Sequence, residues 1–311
     1  MGMRISGTGS ALPDQRLTNE QLEKMVETSN EWIVERTGIS ERRISNGETT
    51  SQLAAKACMA ALGSAGKKPA DVDVILVATC SQDEFFPCTA CKIQALIGAG
   101  QAAGFDINAA CTGFLTALGV ADAYLSSGRF QNALVVGCEN LSHLVDYTDR
   151  GSCILFGDGA GAVFVEKSDQ GGILGFMQGC DGAMGDVLSC RSDGEDKIRM
   201  DGREVYRFAV RTVPICISIA LEKASLEASD IDLYLLHQAN LRILESIAGR
   251  LGVPMEKVPH NLEKYGNMSS ASIPVLLDEI VKCGKIKKGQ KIVMAGFGAG
   301  LTYGACVLEW N

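Results

Sequence analysis

Short apolar runs alternate along this chain with longer segments whose apolar positions recur at helical spacing. In the first half, Met3 to Gly9, Val72 to Thr79, Phe105 to Asn108 and Ala133 to Gly137 read as strands. Between them, Ser51 to Gly63, Thr89 to Ile97 and Cys111 to Ser127 read as helices, and a shorter helix is opened by Ser29 and closed near Gly38. The second half keeps the same order. Helix Val205 to Ala224 precedes strand Ile231 to Leu236, followed by helices Leu241 to Leu251 and Ser270 to Cys283 and strand Lys291 to Ala295. Such alternation predicts an α/β fold in which parallel or mixed sheets are covered by helices.

The likeness of the halves goes beyond order. Setting Ala61 to Val77 against Ala220 to Leu236 places Asp71 on Asp230 and Asp73 on Asp232, an offset of 159 residues. Kept without a gap, the offset puts Asn108 on Asn267, Cys111 on Ser270, Leu118 on Leu277 and the strand Ala133 to Gly137 on Ile292 to Gly296. A register held over about 75 residues indicates an internal duplication, with a period far too long for a solenoid. Ser168 to Gly172 is the junction between the copies, giving halves at 1–168 and 172–311. Two similar halves packed together create a central interface, a favoured place for a site.

Composition narrows the classes. No apolar run is long enough to span a membrane, and Met1 to Ser6 lacks a signal-peptide core, so a cytoplasmic location is expected. The opening Met-Gly formally fits an acylation pattern, but the strand beginning at Met3 is the better reading. A net charge of −8 argues against general nucleic-acid binding. The 12 cysteines are scattered, often within apolar segments (Cys58, Cys153, Cys216, Cys306), as small core residues of a reducing compartment would be. Cys88 and Cys91 form one C-x-x-C, with no second pair at ligand spacing to make a metal site.

Three residues carry the chemistry. Cys111 follows a short strand and opens a small-residue helix in Ala109-Ala110-Cys111-Thr112-Gly113, where the helix dipole should lower its pKa. Of only three histidines, His143, His237 and His260, His237 stands at a strand end, whereas His260, beside Pro259, lacks such a setting. Asn267 precedes a helix, and the duplication puts its helix start opposite that of Cys111. The runs Gly157 to Gly161 and Gly296 to Gly300 look like nucleotide loops but lead into strands, not helix N-termini, so that reading fails. The second run is better suited to presenting bare backbone N–H groups to a reacting carbonyl. The polar, glycine-rich stretch Gly179 to Asp201 reads as an excursion near the site.

With Ala-Ala-Cys-Thr-Gly-Phe, His-Gln-Ala-Asn-Leu-Arg-Ile, Tyr-Gly-Asn-Met-Ser-Ser and Gly-Phe-Gly-Ala-Gly in this order, the chain resembles the β-ketoacyl-acyl carrier protein synthase III family over essentially its whole length. The resemblance implies a thiolase-like fold: two duplicated halves in five layers, α-β-α-β-α, assembled as a homodimer. It implies decarboxylative condensation of a short acyl-CoA with malonyl-acyl carrier protein, coenzyme A thioesters being substrates and no cofactor or metal being used. Cys111 resembles the nucleophile, and His237 and Asn267 the donors to the malonyl carbonyl. The backbone N–H groups of Cys111 and Ala299 resemble the oxyanion hole. Trp32, Arg36, Arg150, Gly202 and Asn240 resemble the coenzyme A channel. The acyl pocket falls on Phe86, lent to the partner subunit, with Leu141, Phe156 and Leu188.

Thr112, Met268 and Arg203 depart from the family's pattern and bear on acyl preference and coenzyme A affinity rather than on reaction class. Arg203, Arg207 and Arg211 stand at i, i+4 and i+8, a basic row in an acidic chain that suits an acidic carrier protein. Arg242 and Arg250 extend it, and the resemblance favours Arg207 and Arg242 as contacts. Three rival readings remain: a relative that loads a polyketide starter or acylates an oxygen, a cysteine hydrolase of thioesters, and a non-catalytic binding protein.

Overall fold

The computed structural model describes residues 2–191 and 197–311. Along the first half run β1 (Gly2–Ala11), β2 (Arg16–Thr18), α1 (Asn19–Leu22), α2 (Asn30–Thr37), β3 (Glu41–Arg43), α3 (Thr50–Ala65), β4 (Val74–Ala78) and α4 (Thr89–Ile97). They continue with β5 (Ala103–Ile107), α5 (Gly113–Ser126), β6 (Asn132–Asn140), α6 (Arg150–Cys153) and β7 (Asp158–Ser168). The second half holds β8 (Gly172–Cys180), β9 (Leu188–Cys190), β10 (Ile198–Met200), α7 (Gly202–Ala224), β11 (Leu233–Leu236) and α8 (Leu241–Leu251). It closes with α9 (Leu262–Tyr265), α10 (Ser272–Lys282), β12 (Lys291–Gly298) and β13 (Thr302–Glu309).

Each half builds one mixed sheet. The first has strand order β1-β7-β6-β4-β5 and the second β11-β12-β13-β8. Every residue of β4 is buried, which is why Val-Ile-Leu-Val-Ala reads as an unbroken apolar run: helices cover both faces. Leu53, Cys58 and Ile93 of α3 and α4 pack with Ile75 and Val77 on the outer face of the first sheet. Phe114 and Leu118 of α5 and Leu276 and Ile280 of α10 fill the space between the sheets, against Val135 and Met294. Phe208, Ile217 and Leu244 of α7 and α8 cover the outer face of the second sheet. The result is the expected α-β-α-β-α stack.

The duplication extends to caps and turns. Gly66 ends α3 and Ser225 ends α7, both left-handed, at φ 67° and 56°. Lys68 N–H donates to Asp71 and Glu227 N–H to Asp230, each at 2.8 Å. Asp73 accepts from Asn132 N–H and Asp232 from Lys291 N–H at the start of the equivalent strands. Every one of these pairs is separated by the same 159 residues.

Several local expectations need correction. Cys111 does not begin an α-helix; it lies in a 3₁₀ turn, Ala110–Thr112, and α5 starts at Gly113. Ser270 likewise lies in a turn, Ser269–Ala271, ahead of α10. The glycine runs are parts of strands: Asp158 to Gly161 belongs to β7 and Gly296 to Gly298 to β12. Backbone crowding, not phosphate binding, asks for them, since a Cβ on Gly161 would stand 2.6 Å from Val275 N. The excursion at 179–201 holds the end of β8, a 3₁₀ turn (Gly182–Val187) and the β9–β10 hairpin, with Ser192 to Asp196 outside the described residues.

Candidate active site

Cys111, His237 and Asn267 line one cavity of about 530 Å³, together with Phe297 and Gly298. Each is delivered from a strand end or a turn at the interface between halves. Cys111 follows β5 and a left-handed Ala110 (φ 45°). His237 follows β11, its N–H bonded to Ala295 O at 2.8 Å and its ring edge-on to Phe297 at 5.5 Å. The loop after His237 is pinned by Gln238, which donates to Asn261 Oδ1 and accepts from the Asn261 and Leu262 N–H groups. Asn267 pairs across to the first half: its N–H donates to Leu155 O at 2.8 Å and its O accepts from Gly157 N–H at 3.0 Å. Gly298 lets these pieces meet, because a Cβ there would sit 2.7 Å from Cys111 N.

Burial dominates the electrostatics. The Cys111 thiol is pushed up to about 12 by desolvation, against opposing help from the Ser269 hydroxyl and its own backbone N–H. The expected lowering by a helix start is thus overturned: the α-helix begins two residues later, and removal from water outweighs a partial dipole. His237 is pushed down to about 3 by desolvation, so it is a neutral imidazole at working pH. Asn267 Oδ1 accepts from Ser269 N–H at 2.8 Å, which leaves the amide NH₂ as the end available to a ligand.

A pH test follows. Below its pKa a thiol gains thiolate about tenfold per pH unit. Iodoacetamide should therefore alkylate Cys111 about tenfold faster per unit from about pH 6 to 9, without a plateau. Intact-mass kinetics on the unliganded enzyme check this, and saturation near neutral pH would restore the lowered-pKa reading.

A second cavity of about 190 Å³ shares Cys111 and is lined by Leu141, Phe156, Leu188, Cys80 and Ala299. Arg36, Gly202, Asn240 and Arg242 line the larger cavity. The Arg36 and Arg150 guanidinium carbons lie 5.4 and 4.8 Å from the centre of the Trp32 ring. Asn240 caps α8 and donates to Arg36 O at 2.9 Å, joining α2 to the cavity wall. Phe86 stands apart from both cavities of its own chain and is 85% exposed. Arg203, Arg207 and Arg211 form an exposed row on α7 while Val205, Phe208 and Ala209 are buried; Arg207 also pairs with Glu204 at 2.7 Å. Arg250 is exposed at the end of α8. Among the described residues no group of His, Cys, Asp and Glu could hold a metal, and no helix is long and apolar enough to cross a membrane.

Sequence reasoning missed Cys80, Ser269 and Glu139. Cys80 and Ser269 line the smaller cavity, and Glu139 is a fully buried carboxylate bonded to the turn beside Asn267. A usable signal existed for the last, since the offset that pairs Cys111 with Ser270 pairs Glu139 with Gly298.

Two models of 3-oxoacyl-[acyl-carrier-protein] synthase III, one for the C-terminal part, match residues 105–182 and 221–310. The chain is 47% identical to the β-ketoacyl-[acyl-carrier-protein] synthase III of Clostridium acetobutylicum, over 99% of both proteins. The chain belongs to the 3-oxoacyl-[acyl-carrier-protein] synthase III family. The synthase III crystal structure from Aquifex aeolicus VF5 superposes with a TM-score of 0.97 at 45% identity, covering 99% of this chain and 100% of that one. The priming β-ketosynthase of the R1128 polyketide pathway is 38% identical with a TM-score of 0.95, over 99% of this chain and 96% of that one. This synthase III family member is accordingly an acyltransferase, a condensing enzyme on the thiolase fold.

Proposed function

We propose that the enzyme condenses a short acyl-CoA with malonyl-acyl carrier protein to 3-oxoacyl-acyl carrier protein, initiating fatty acid synthesis. The observation that carries this reading is the meeting of a thiol, a neutral imidazole and an oriented amide in one cavity. Cys111 attacks the acyl-CoA carbonyl, and the proton lost by its thiol leaves with coenzyme A, so the transfer balances between two sulfurs. The N–H groups of Cys111 and Ala299 hold the oxyanion. The malonyl thioester then loses carbon dioxide while His237 and Asn267 donate to the enolate oxygen. Attack of that carbanion on acyl-Cys111 forms the new bond and frees the cysteine.

The smaller cavity falls below the roughly 300–1,000 Å³ of drug-sized sites, which supports a short acyl chain. Trp32 beside two guanidinium groups suits an adenine and its phosphates. Phe85 and Phe86, 81% and 85% exposed, suit burial against a second copy in a homodimer. The likeness to a priming ketosynthase favours one alternative, a starter-loading enzyme of polyketide synthesis. Mass spectrometry after an acyl-CoA panel and then malonyl-carrier protein decides: a Cys111 adduct turning into 3-oxoacyl-carrier protein supports the reading. An adduct that never condenses would overturn it, and preference for longer or branched acyl-CoA would favour starter loading.

Docking of the carrier protein rests on the arginine row. Arg207→Glu should raise the KM for malonyl-carrier protein several-fold while acylation by acyl-CoA stays nearly unchanged. The defect should shrink with added salt, because the wild-type attraction is itself screened. Initial rates for each substrate at low and high salt check this; equal losses with both would indicate damage to the channel instead.

A further inference from the structure

The two halves present two equivalent sets of positions, and only one set lines the larger cavity. That set is Cys111, His237, Asn267 and Gly298. Subtracting the offset or adding it gives Ser270, Ala78, Asn108 and Glu139 as the other. There the Glu139 side chain occupies the position that Gly298 leaves bare, and it is fully buried.

Glu139 bonds to both halves at once. One carboxylate oxygen accepts from Ser270 Oγ at 2.7 Å and from Ser270 N–H at 3.4 Å. The other accepts from Ser81 Oγ at 2.6 Å, Cys80 N–H at 3.1 Å and Thr79 Oγ1 at 3.3 Å. No ion pair reaches it among the described residues. A buried carboxylate without a cation is costly and is sustained only by such donors. Ser270 belongs to the same turn as Ser269, whose N–H orients Asn267 and whose backbone is left-handed (φ 45°). Each turn has anchors of its own, Thr79 N–H to Ile107 O and Thr50 Oγ1 to Ser81 O on one side, Asn267 N–H to Leu155 O and Ser270 Oγ to Ala78 O on the other, and the carboxylate ties the two turns to each other.

We propose that Glu139 is a positioning residue for decarboxylation: bonded to Ser270, it fixes the turn through which Ser269 aims the Asn267 amide into the cavity. This rests on the decarboxylating role given above to His237 and Asn267. In Glu139→Gln the new NH₂ must face either Cys80 N–H or Ser270 N–H, and neither backbone donor can turn away. A lost bond plus an unsatisfied donor predicts a fall of about ten- to a hundredfold in kcat for malonyl-carrier protein decarboxylation. KM and the rate of self-acylation by acyl-CoA should stay within about threefold of wild type. Ser270→Ala, which removes one hydroxyl, should show a milder loss with the same split, and it decides the matter if Glu139→Gln does not fold. Parallel loss of both half-reactions, or loss of neither, overturns the proposal. A wild-type enzyme that acylates but does not decarboxylate would instead overturn the functional reading beneath it.

Discussion

Cys111→Ala abolishes acylation: intact mass after incubation with acyl-CoA shows no adduct, and no 3-oxoacyl product forms when malonyl-carrier protein is added. Of the 12 cysteines this one shares a cavity with His237 and Asn267, so no other thiol can replace it in condensation. Cys80, in the smaller cavity, is the nearest rival. Its thiol, like that of Cys111, is raised by burial and by the neighbouring Glu139 carboxylate, but Cys80 does not line the cavity that holds His237 and Asn267. The substitution spares the fold. The Cys111 side chain borders two cavities, so losing one sulfur opens little new void, and stability should change by no more than about 1 kcal/mol. Thermal unfolding checks that part. His237 and Asn267 remain in place, so the variant still releases carbon dioxide from malonyl-carrier protein. An acyl adduct on any other cysteine, followed by condensation, would remove Cys111 from its role.

Much of the architecture was legible because the same signals occur twice. Helices α4 and α8 were bounded residue for residue, since an apolar period ends at a left-handed glycine in each, Gly98 and Gly252. The offset of 159 residues predicts two similar sheets and places Cys111 and Asn267 on one interface from the sequence alone. What failed depends on packing rather than on pattern. A glycine run reads as a loop until one sees that Gly298 admits the backbone of Cys111 and Gly161 that of α10. The direction of the Cys111 shift is not legible, because the sequence shows a helix nearby but not how completely the thiol is withdrawn from water.

Long-range polar contacts were the least legible. Arg42, fully buried, donates to Leu17 O, Asn19 Oδ1 and Ile154 O, the last of these 112 residues away, and no local pattern marks it. Glu139 is similar, for its partners Ser81 and Ser270 lie on different halves. Both residues tie loops that bear on the site, Arg42 below the Leu155 to Gly157 segment that pairs with Asn267. Buried charge here is spent on holding the cavity walls, a role that only tertiary structure discloses.

His237→Ala and Asn267→Ala should fail in the half-reaction that Cys111→Ala leaves intact. Both variants keep the thiol and the N–H groups of Cys111 and Ala299, so each still forms the acyl-enzyme, though more slowly. Neither can hold the enolate oxygen with two donors. Removing one such donor costs about a hundred- to thousandfold in rate, and carbon dioxide release from malonyl-carrier protein should fall by that factor. The donor role requires a neutral imidazole. Burial supplies it by lowering the His237 pKa to about 3, so the protonated form gains population only as pH falls towards that value. Decarboxylation by the wild type should therefore show no titration near the ordinary histidine value of about 6.5. Stopped-flow measurement of carbon dioxide release from about pH 5 to 8, for wild type and both variants, reads all of this. An inflection near 6.5 in the wild type would mean that His237 works as a titrating base. Undiminished release by both variants would remove the pair from the decarboxylation step.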